Sequence, residues 1–469
     1  MKQLQLAGSE NEMPKLEFPI IDTLVDSIYE DSRTPKREAL ILRLPDELLS
    51  EVVGLAAIPS QKGCPRKLYT QALSLTKVCK RFHRCALPFL YSSFYNDECH
   101  TLVPPCEAIT NYHRTIKRNQ PLGRFCKTVK LKVGDVTSPK SPADYHIATE
   151  ILCCLPEVTV FECRGGWNGT LGPYLWAMVA NALKHMTNIK EMTLYRHATR
   201  GLLMTEIINN VRLPALEKLS LYGISAVRTD ECGEKRKGLY LRTPFNGYEG
   251  TASFTNLEIH DFMERLPALM RLLAWPKKLE HFRFGIVPSN EAQWRLSKFE
   301  MLLAPYKASL KSLSLPFFPG EGPATIDLMD FSELTTLTLS REGWECTPEV
   351  ASSTVLAPRL QHFIWDFGMY DETSGWLIDF TQRDADWLLQ FAKLANKRKS
   401  ALRCIEVSWN NPSEDKGIED PWTLLEELEI ALEAMGIQLK YSLRSVEHGG
   451  WIEDMMKHIY SESPRRARG

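Results

Sequence analysis

The side chains of this sequence best able to do covalent or metal chemistry are its 11 histidines and 12 cysteines, and their spacing decides how much chemistry is expected. A nucleophilic thiol needs an imidazole beside it, and a zinc site needs ligands in closely spaced pairs. No CxxC pair occurs, and Cys153 and Cys154 are adjacent, a spacing that suits core packing better than ligation. Walker-type phosphate loops, GxGxxG, GxSxG and HExxH are all missing from the sequence. The stretch from Gly165 to Thr170 (GGWNGT) is glycine-rich and contains an Asn-Gly-Thr sequon, and a tight turn after a strand accounts for it. Tyr370, Trp376, Trp387 and Trp409 could line an aromatic ligand site, although rings on helix or strand periodicity more often fill a core. The expectation is no catalytic residue, no metal and no cofactor. A cysteine hydrolase assembled from distant Cys and His residues remains the enzymatic alternative.

Charge and composition narrow the class further. The 57 Lys plus Arg and 58 Asp plus Glu leave a net charge of -1, which gives no electrostatic reason to expect nucleic acid or an anionic membrane as partner. Twelve cysteines in 469 residues are too sparse for a disulfide scaffold, so a reducing compartment, cytoplasmic and/or nuclear, is expected. Met1 to Lys15 carries Leu4, Leu6 and Ala7 without a continuous apolar run, and no signal peptide is expected there. No apolar run reaches membrane-spanning length. These bounds leave open a chain that acts by holding other proteins.

The elements that would do the holding are legible as two periodicities. Residues 1–40 mix Pro14, Pro19 and Pro35 with scattered charge and read as a flexible leader. At Leu44 the pattern turns helical. Pro45 suits the first helical position, Asp46 and Glu47 favour a helix N-terminus, and Leu48, Leu49, Val52, Val53, Ala56 and Ala57 recur at helical spacing. After the break Pro59 to Pro65, Leu68, Ala72, Leu75, Cys79 and Phe82 form a second stripe, broken once, with Pro88 closing the pattern before Phe89 to Tyr95.

From residue 126 onward the dominant feature is a repeat, apolar-x-x-apolar-x-apolar. It reads plainly as Ile189, Met192, Leu194, as Leu216, Leu219, Leu221, and as Leu334, Leu337, Leu339. Looser copies end at Cys163, Phe284, Leu315, Trp365 and Val407, with weaker ones around Val133 and Phe262. The last apolar positions lie 22 to 42 residues apart, room enough for a helix or long loop between strands. Helices are expected at Tyr174–Met186, Leu202–Val211, Asp384–Ala395 and Trp422–Met435, with a last strand at Ile437–Tyr441. Arg228 to Gly238 reads as a solvated surface insertion.

Two resemblances rest on these residues. Leu44-Pro45-Asp46-Glu47-Leu48-Leu49, followed by Leu73 to Phe82 (LSLTKVCKRF) and Ala86 to Phe94 (ALPFLYSSF), resembles the F-box in its fungal variety. The later repeats resemble irregular leucine-rich repeats, with the Asn or Cys expected three residues beyond the last apolar position present only at Asn410. The combination implies an α/β chain in which a three-helix F-box precedes an irregular leucine-rich-repeat solenoid with one parallel sheet and intervening helices and loops. Implied boundaries are the leader 1–40, the F-box 41–95, a linker 96–125, the solenoid 126–445 and a tail 446–469. The F-box family implies a substrate receptor of an SCF-type cullin-RING ubiquitin ligase. By position, Leu44, Pro45, Leu48, Leu49, Val52, Leu75, Val78 and Phe82 would face a Skp-type adaptor or pack beneath that surface. A ligase-independent scaffold is the other reading, and the helices could also simply cap the solenoid.

Within each repeat strand, residues between the core positions should point to the opposite, solvent-facing side. They include Thr193 and Tyr195, Ser220 and Tyr222, His281 and Arg283, Ile364 and Asp366, Glu406 and Ser408. From this row Tyr195, Tyr222, Arg283 and Asp366 are the candidate contacts to an unknown cargo protein.

Overall fold

The computed structural model describes residues 40–57, 65–96, 107–133, 142–165, 172–196, 202–224, 247–262, 264, 266–285, 294–316, 326–341, 346–367, 380–410 and 421–444. The leader up to residue 39, most of the 59–66 break, the Gly166 to Thr170 turn, the 228–238 insertion, Tyr370, Trp376 and the tail from 446 lie outside them. The chain divides into two units, Met1–Val52 and Val53–Gly469.

In the shorter unit a 3-10 turn, Leu40–Arg43, precedes the first turns of helix α1 (Asp46–Ala57). Asp46 and Glu47 sit in the first turn, where carboxylates meet the positive end of the helix dipole. The Leu49 amide donates to the Pro45 carbonyl at 2.9 Å, so the helix hydrogen-bond ladder starts at the proline. Along α1, Leu49, Val53 and Ala57 are buried at a spacing of four, one helical stripe.

The longer unit continues with α2 (Pro65–Thr76) and α3 (Lys80–Leu90). The break expected in the second stripe falls at Lys77–Cys79, where the Cys79 thiol accepts the Phe82 amide and caps α3. Phe82, Cys85 and Ala86 are buried, and Gly54 lies so close to Phe89 that a Cβ there would come within 2.7 Å of the ring. Pro88 sits inside α3, two residues before the helix ends at Leu90.

Among the described residues twelve strands then form one sheet in strictly sequential order, every neighbouring pair parallel. They are β1 (Ser93–Asn96), β2 (Thr128–Val133), β3 (Val160–Gly165), β4 (Glu191–Arg196), β5 (Lys218–Tyr222), β6 (Asn256–His260), β7 (His281–Phe284), β8 (Ser312–Leu315), β9 (Thr336–Ser340), β10 (His362–Asp366), β11 (Cys404–Asn410) and β12 (Gln438–Arg444). Parallel neighbours need crossovers, and the described ones carry helices: α4 (Glu107–Arg118), α5 (Pro142–Cys153), α6 (Gly172–His185), α7 (Met204–Asn210), α8 (Leu266–Leu273), α9 (Leu296–Leu303), α10 (Pro348–Thr354), α11 (Gln382–Lys397) and α12 (Pro421–Glu433). The sheet and its helices make an α/β solenoid of leucine-rich-repeat-like design.

Register gives the core its regularity. Phe94, Val129, Phe161, Met192, Leu219, Leu257, Phe282, Leu313, Leu337, Phe363, Ile405 and Leu439 align strand by strand, and all are buried. A second buried row, Leu131 to Val407, lies two residues on. Helix residues such as Leu175, Leu269, Phe299, Leu388 and Leu425 join the same hydrophobic cluster and cover this face.

Several sequence expectations shift by a few residues. In β2 the second row falls on Leu131 rather than Val133, and in β6 on Ile259, with Phe262 buried just beyond the strand. Residues 93–95, assigned to the helical module, form the first strand of the sheet together with Asn96, and the described part of the stretch 96–125 holds α4 and a 3-10 turn, Gln120–Phe125, where a linker is expected. Tyr112 on α4 stacks on Phe94, ring centroids 4.4 Å apart, which ties this helix to the sheet edge. The short β1 carries Asn96 where the repeat has its last apolar residue, and α4 mixes charge into its stripe, so neither matches the pattern.

Candidate functional site

The open face of the sheet carries the residues between the buried rows. Because parallel strands stack about 4.8 Å apart in register, equivalent side chains on neighbouring strands touch one another. The face is therefore built as rows running across the strands.

One row is aromatic and cationic. The Arg164 guanidinium lies 5.3 Å from the centre of the Tyr195 ring, Tyr195 stacks on Tyr222 at 4.3 Å, and Tyr222 stacks on His260 at 4.4 Å with the rings 1° from parallel. The row ends at Gly285, where a Cβ would collide with the His260 ring. Glycine is required there by the close approach of the imidazole. Burial pushes the hydroxyl pKa values of both Tyr195 and Tyr222 up, with neighbouring carboxylates adding to the effect.

The adjacent row centres on Glu258, which is buried and draws partners from β5, β6 and β7. Ser220 donates to it at 3.1 Å and His260 at 2.8 Å, while Lys218 and Arg283 each stand 3.4 Å away. Burial opposes ionisation of Glu258, but the His260 hydrogen bond and the charges of His260, Arg283 and Lys218 outweigh it and hold the carboxyl well below the usual range. Lys130 and Glu162 pair in the same row at 3.0 Å on β2 and β3.

Beyond Arg283 the chemistry changes to hydroxyls: Ser312 and Ser314 on β8, Thr336 and Thr338 on β9. Past them lie Ile364 and Asp366 on β10 and Glu406 and Ser408 on β11, with His362 reaching Glu406 at 3.1 Å. These residues, with Lys218, Asn256, Glu258 and Arg283, line a groove of about 400 Å³ that runs across the sheet.

All four cargo candidates lie on this face, but two of them are not solvent-facing side chains. Tyr222 is 7% exposed and Asp366 only 1%. Strand alternation predicted the correct side, yet not the shielding supplied by neighbours in register: Tyr222 is sandwiched between Tyr195 and His260, and Asp366 lies between Ser340 and Ser408. Tyr195 is half-buried and Arg283 is 42% exposed at its side chain. Sequence reading missed Glu258, His260 and Gly285, since the row that joins them crosses strands 25 or more residues apart.

The helical candidates separate into three groups. Leu49 and Phe82 are buried, Leu44 and Leu75 half-buried, and Pro45, Leu48, Val52 and Val78 exposed, Val78 to 55%. Leu55, which was not singled out, is 74% exposed and continues the spacing of Leu48 and Val52 along α1. One stripe of α1 is therefore in the core while another leaves large apolar side chains in water.

Cysteine chemistry finds little footing among the described residues. Burial pushes the Cys126 thiol up to about 12 and Cys346 up to about 11, and Cys153, Cys154, Cys163 and Cys404 also move up. A nucleophilic thiol needs the opposite shift. No group of three or more His, Cys, Asp or Glu side chains among the described residues could hold a metal ion. No described helix is long and apolar enough to cross a membrane. Trp387 packs against Trp365 and Phe391 at the edge of the core and donates to the Cys346 carbonyl at 2.7 Å, while Tyr370 and Trp376 lie outside the described residues.

No family model matches the chain, and no curated protein matches it. Among solved structures it is similar to the leucine-rich repeat-containing protein LegL7 from Legionella pneumophila, at 14% sequence identity over 71% of this chain and 96% of that one, with a TM-score of 0.40.

Proposed function

We propose that this chain is the substrate receptor of an SCF-type ubiquitin ligase, docking a Skp-type adaptor through its N-terminal helices and holding a cargo protein on the open face of its sheet. The observation that carries the first half is the exposed stripe of α1, Leu48, Val52 and Leu55. Each such side chain contributes on the order of 1.5–3 kcal/mol when a partner buries it, before ordering costs. The resemblance of residues 44–94 to the F-box supplies the partner's identity, and the cullin follows from the adaptor. For the second half the support is the open face itself, which is polar, groove-bearing and left without a covering helix among the described residues.

In this arrangement the chain does no chemistry of its own. Ubiquitin transfer belongs to the partners, and the receptor raises the effective concentration of cargo near them. Its place is the cytoplasm and/or nucleus, where the adaptor resides and where the free thiols described would stay reduced.

Co-purification tests the reading. Wild-type protein expressed with tagged adaptor and cullin should bring down both, and the Leu44→Ala, Pro45→Ala, Leu48→Ala variant should lose at least about tenfold of each. Failure of the wild type to capture either overturns the ligase function. Capture of adaptor without cullin favours a ligase-independent scaffold.

A further inference from the structure

The covered face of the sheet loses its shelter at the last strand. In the second row of that face every residue from Leu131 to Val407 is at most 4% exposed, while Tyr441, the counterpart of Val407 on β12, is 40% exposed. Ile430 of α12, the last described helix, is 72% exposed. The cause is position: inner strands have neighbours on both sides, and among the described residues β12 has one, β11. A repeat array buries its apolar face by stacking, so its end needs a cap.

The sequence just past β12 has the pattern of such a cap. Over residues 451–460 (WIEDMMKHIY) the apolar side chains are Trp451, Ile452, Met455, Met456, Ile459 and Tyr460, and Glu453, Asp454, Lys457 and His458 fill the gaps. Wound as a helix, this stretch has one apolar and one polar face. Trp451 stands seven positions after Arg444, the end of β12, as Gly172 at the start of α6 stands seven positions after Gly165, the end of β3. A ten-residue helix is about 15 Å long, the length of four to five strand residues at about 3.3 Å each, enough to run back from Arg444 over Tyr441. Charge favours this occupant over a second copy of the chain. Helix α12 carries Glu426, Glu427, Glu429 and Glu433 and no lysine or arginine, so two copies meeting end to end about a two-fold axis would bring like charges together. The chain beyond residue 460 instead supplies Arg465, Arg466 and Arg468. We infer that residues 451–460 form an amphipathic helix that packs its apolar face on β12 and the flank of α12, closing the apolar end of the solenoid.

Amide hydrogen exchange followed by mass spectrometry on the full-length chain tests it. In the wild type, residues 451–460 should exchange at least about tenfold more slowly than an unstructured chain. Met455→Asp with Ile459→Asp should abolish that protection and speed exchange in β12 by about tenfold, with β3 to β6 unchanged as the check on folding. Tyr441→Asp should release the segment from the other side of the contact. Glu453→Gln with Lys457→Gln, on the polar face, should change neither region. Unprotected amides over 451–460 in the wild type, or protection that survives the substitutions at Met455, Ile459 and Tyr441, overturns the inference. Protection of β12 that rises with protein concentration would put a second copy on this end, and overturns it as well.

Discussion

The two faces of the sheet are made from the same strands and obey different rules. On the helix-covered face the row from Phe94 to Leu439 repeats one chemistry at all twelve strands. Across the open face, the row through Tyr95, Lys130, Glu162, Thr193, Ser220, Glu258, Arg283, Ser314, Thr338, Ile364, Glu406 and Lys440 changes character every two or three strands. Burial asks only for apolar volume, and any strand can meet that demand with Leu, Ile, Val, Met or Phe. The open face must satisfy each polar group individually, so its side chains form local partnerships. The direction in which alternate side chains point separates the two demands.

That contrast can be broken most severely from the covered face. Phe363 is fully buried, in line with its neighbours on β9 and β11 and packed 5.2 Å from the Phe391 ring. Phe363→Ala should cost about 3–5 kcal/mol, read as a fall in the denaturation midpoint by circular dichroism. A loss no larger than that of an exposed strand substitution would refute the division of labour between the faces.

A middle-sized effect is expected where the open face is itself close-packed. Gly285→Val would drive two methyl groups and a Cβ into the His260 ring, and overpacking of this type costs about 1–3 kcal/mol. The same substitution should disturb Tyr222 and Tyr195 through the stack, which tyrosine fluorescence or aromatic proton shifts would report. Unchanged spectra would mean that the aromatic row does not act as one unit.

The smallest effect sharpens the electrostatic side. Glu258→Gln keeps much of the shape but removes the charge on which Lys218, Arg283 and His260 converge, a loss of about 1–2 kcal/mol at neutral pH. Its folded-state pKa lies below the unfolded value of about 4.3, so this contribution is fully present above that range and is lost as pH falls through it toward the folded value. The stability gap between wild type and variant should therefore close on acidification. A gap independent of pH would show that the carboxylate's charge contributes nothing.

The repeat could be read in the sequence because packing against helices imposes an apolar residue at fixed positions in each strand. Met192 and Leu194, Leu219 and Leu221, Leu337 and Leu339 carried that signal with no tertiary information. The helices over 174–186, 202–211, 384–395 and 422–435 were legible through helical periodicity and fall within a few residues of α6, α7, α11 and α12. Strand β1 and helix α4 were not, since four residues hold too few alternations to separate a strand from the end of a helical module.

For the open face, the sequence by itself determined which residues lie on it: alternation placed Tyr195, Tyr222, Arg283 and Asp366 on one side of the sheet. Only the tertiary structure decided what they do there. Register brought Tyr222 between Tyr195 and His260, gathered Lys218, Arg283 and Ser220 around Glu258, and buried Asp366. The physical reason is that alternation is a property of one strand and is written locally. The partnerships arise between strands separated by intervening helices and loops, and each partner's identity is set at a distance that no local pattern records.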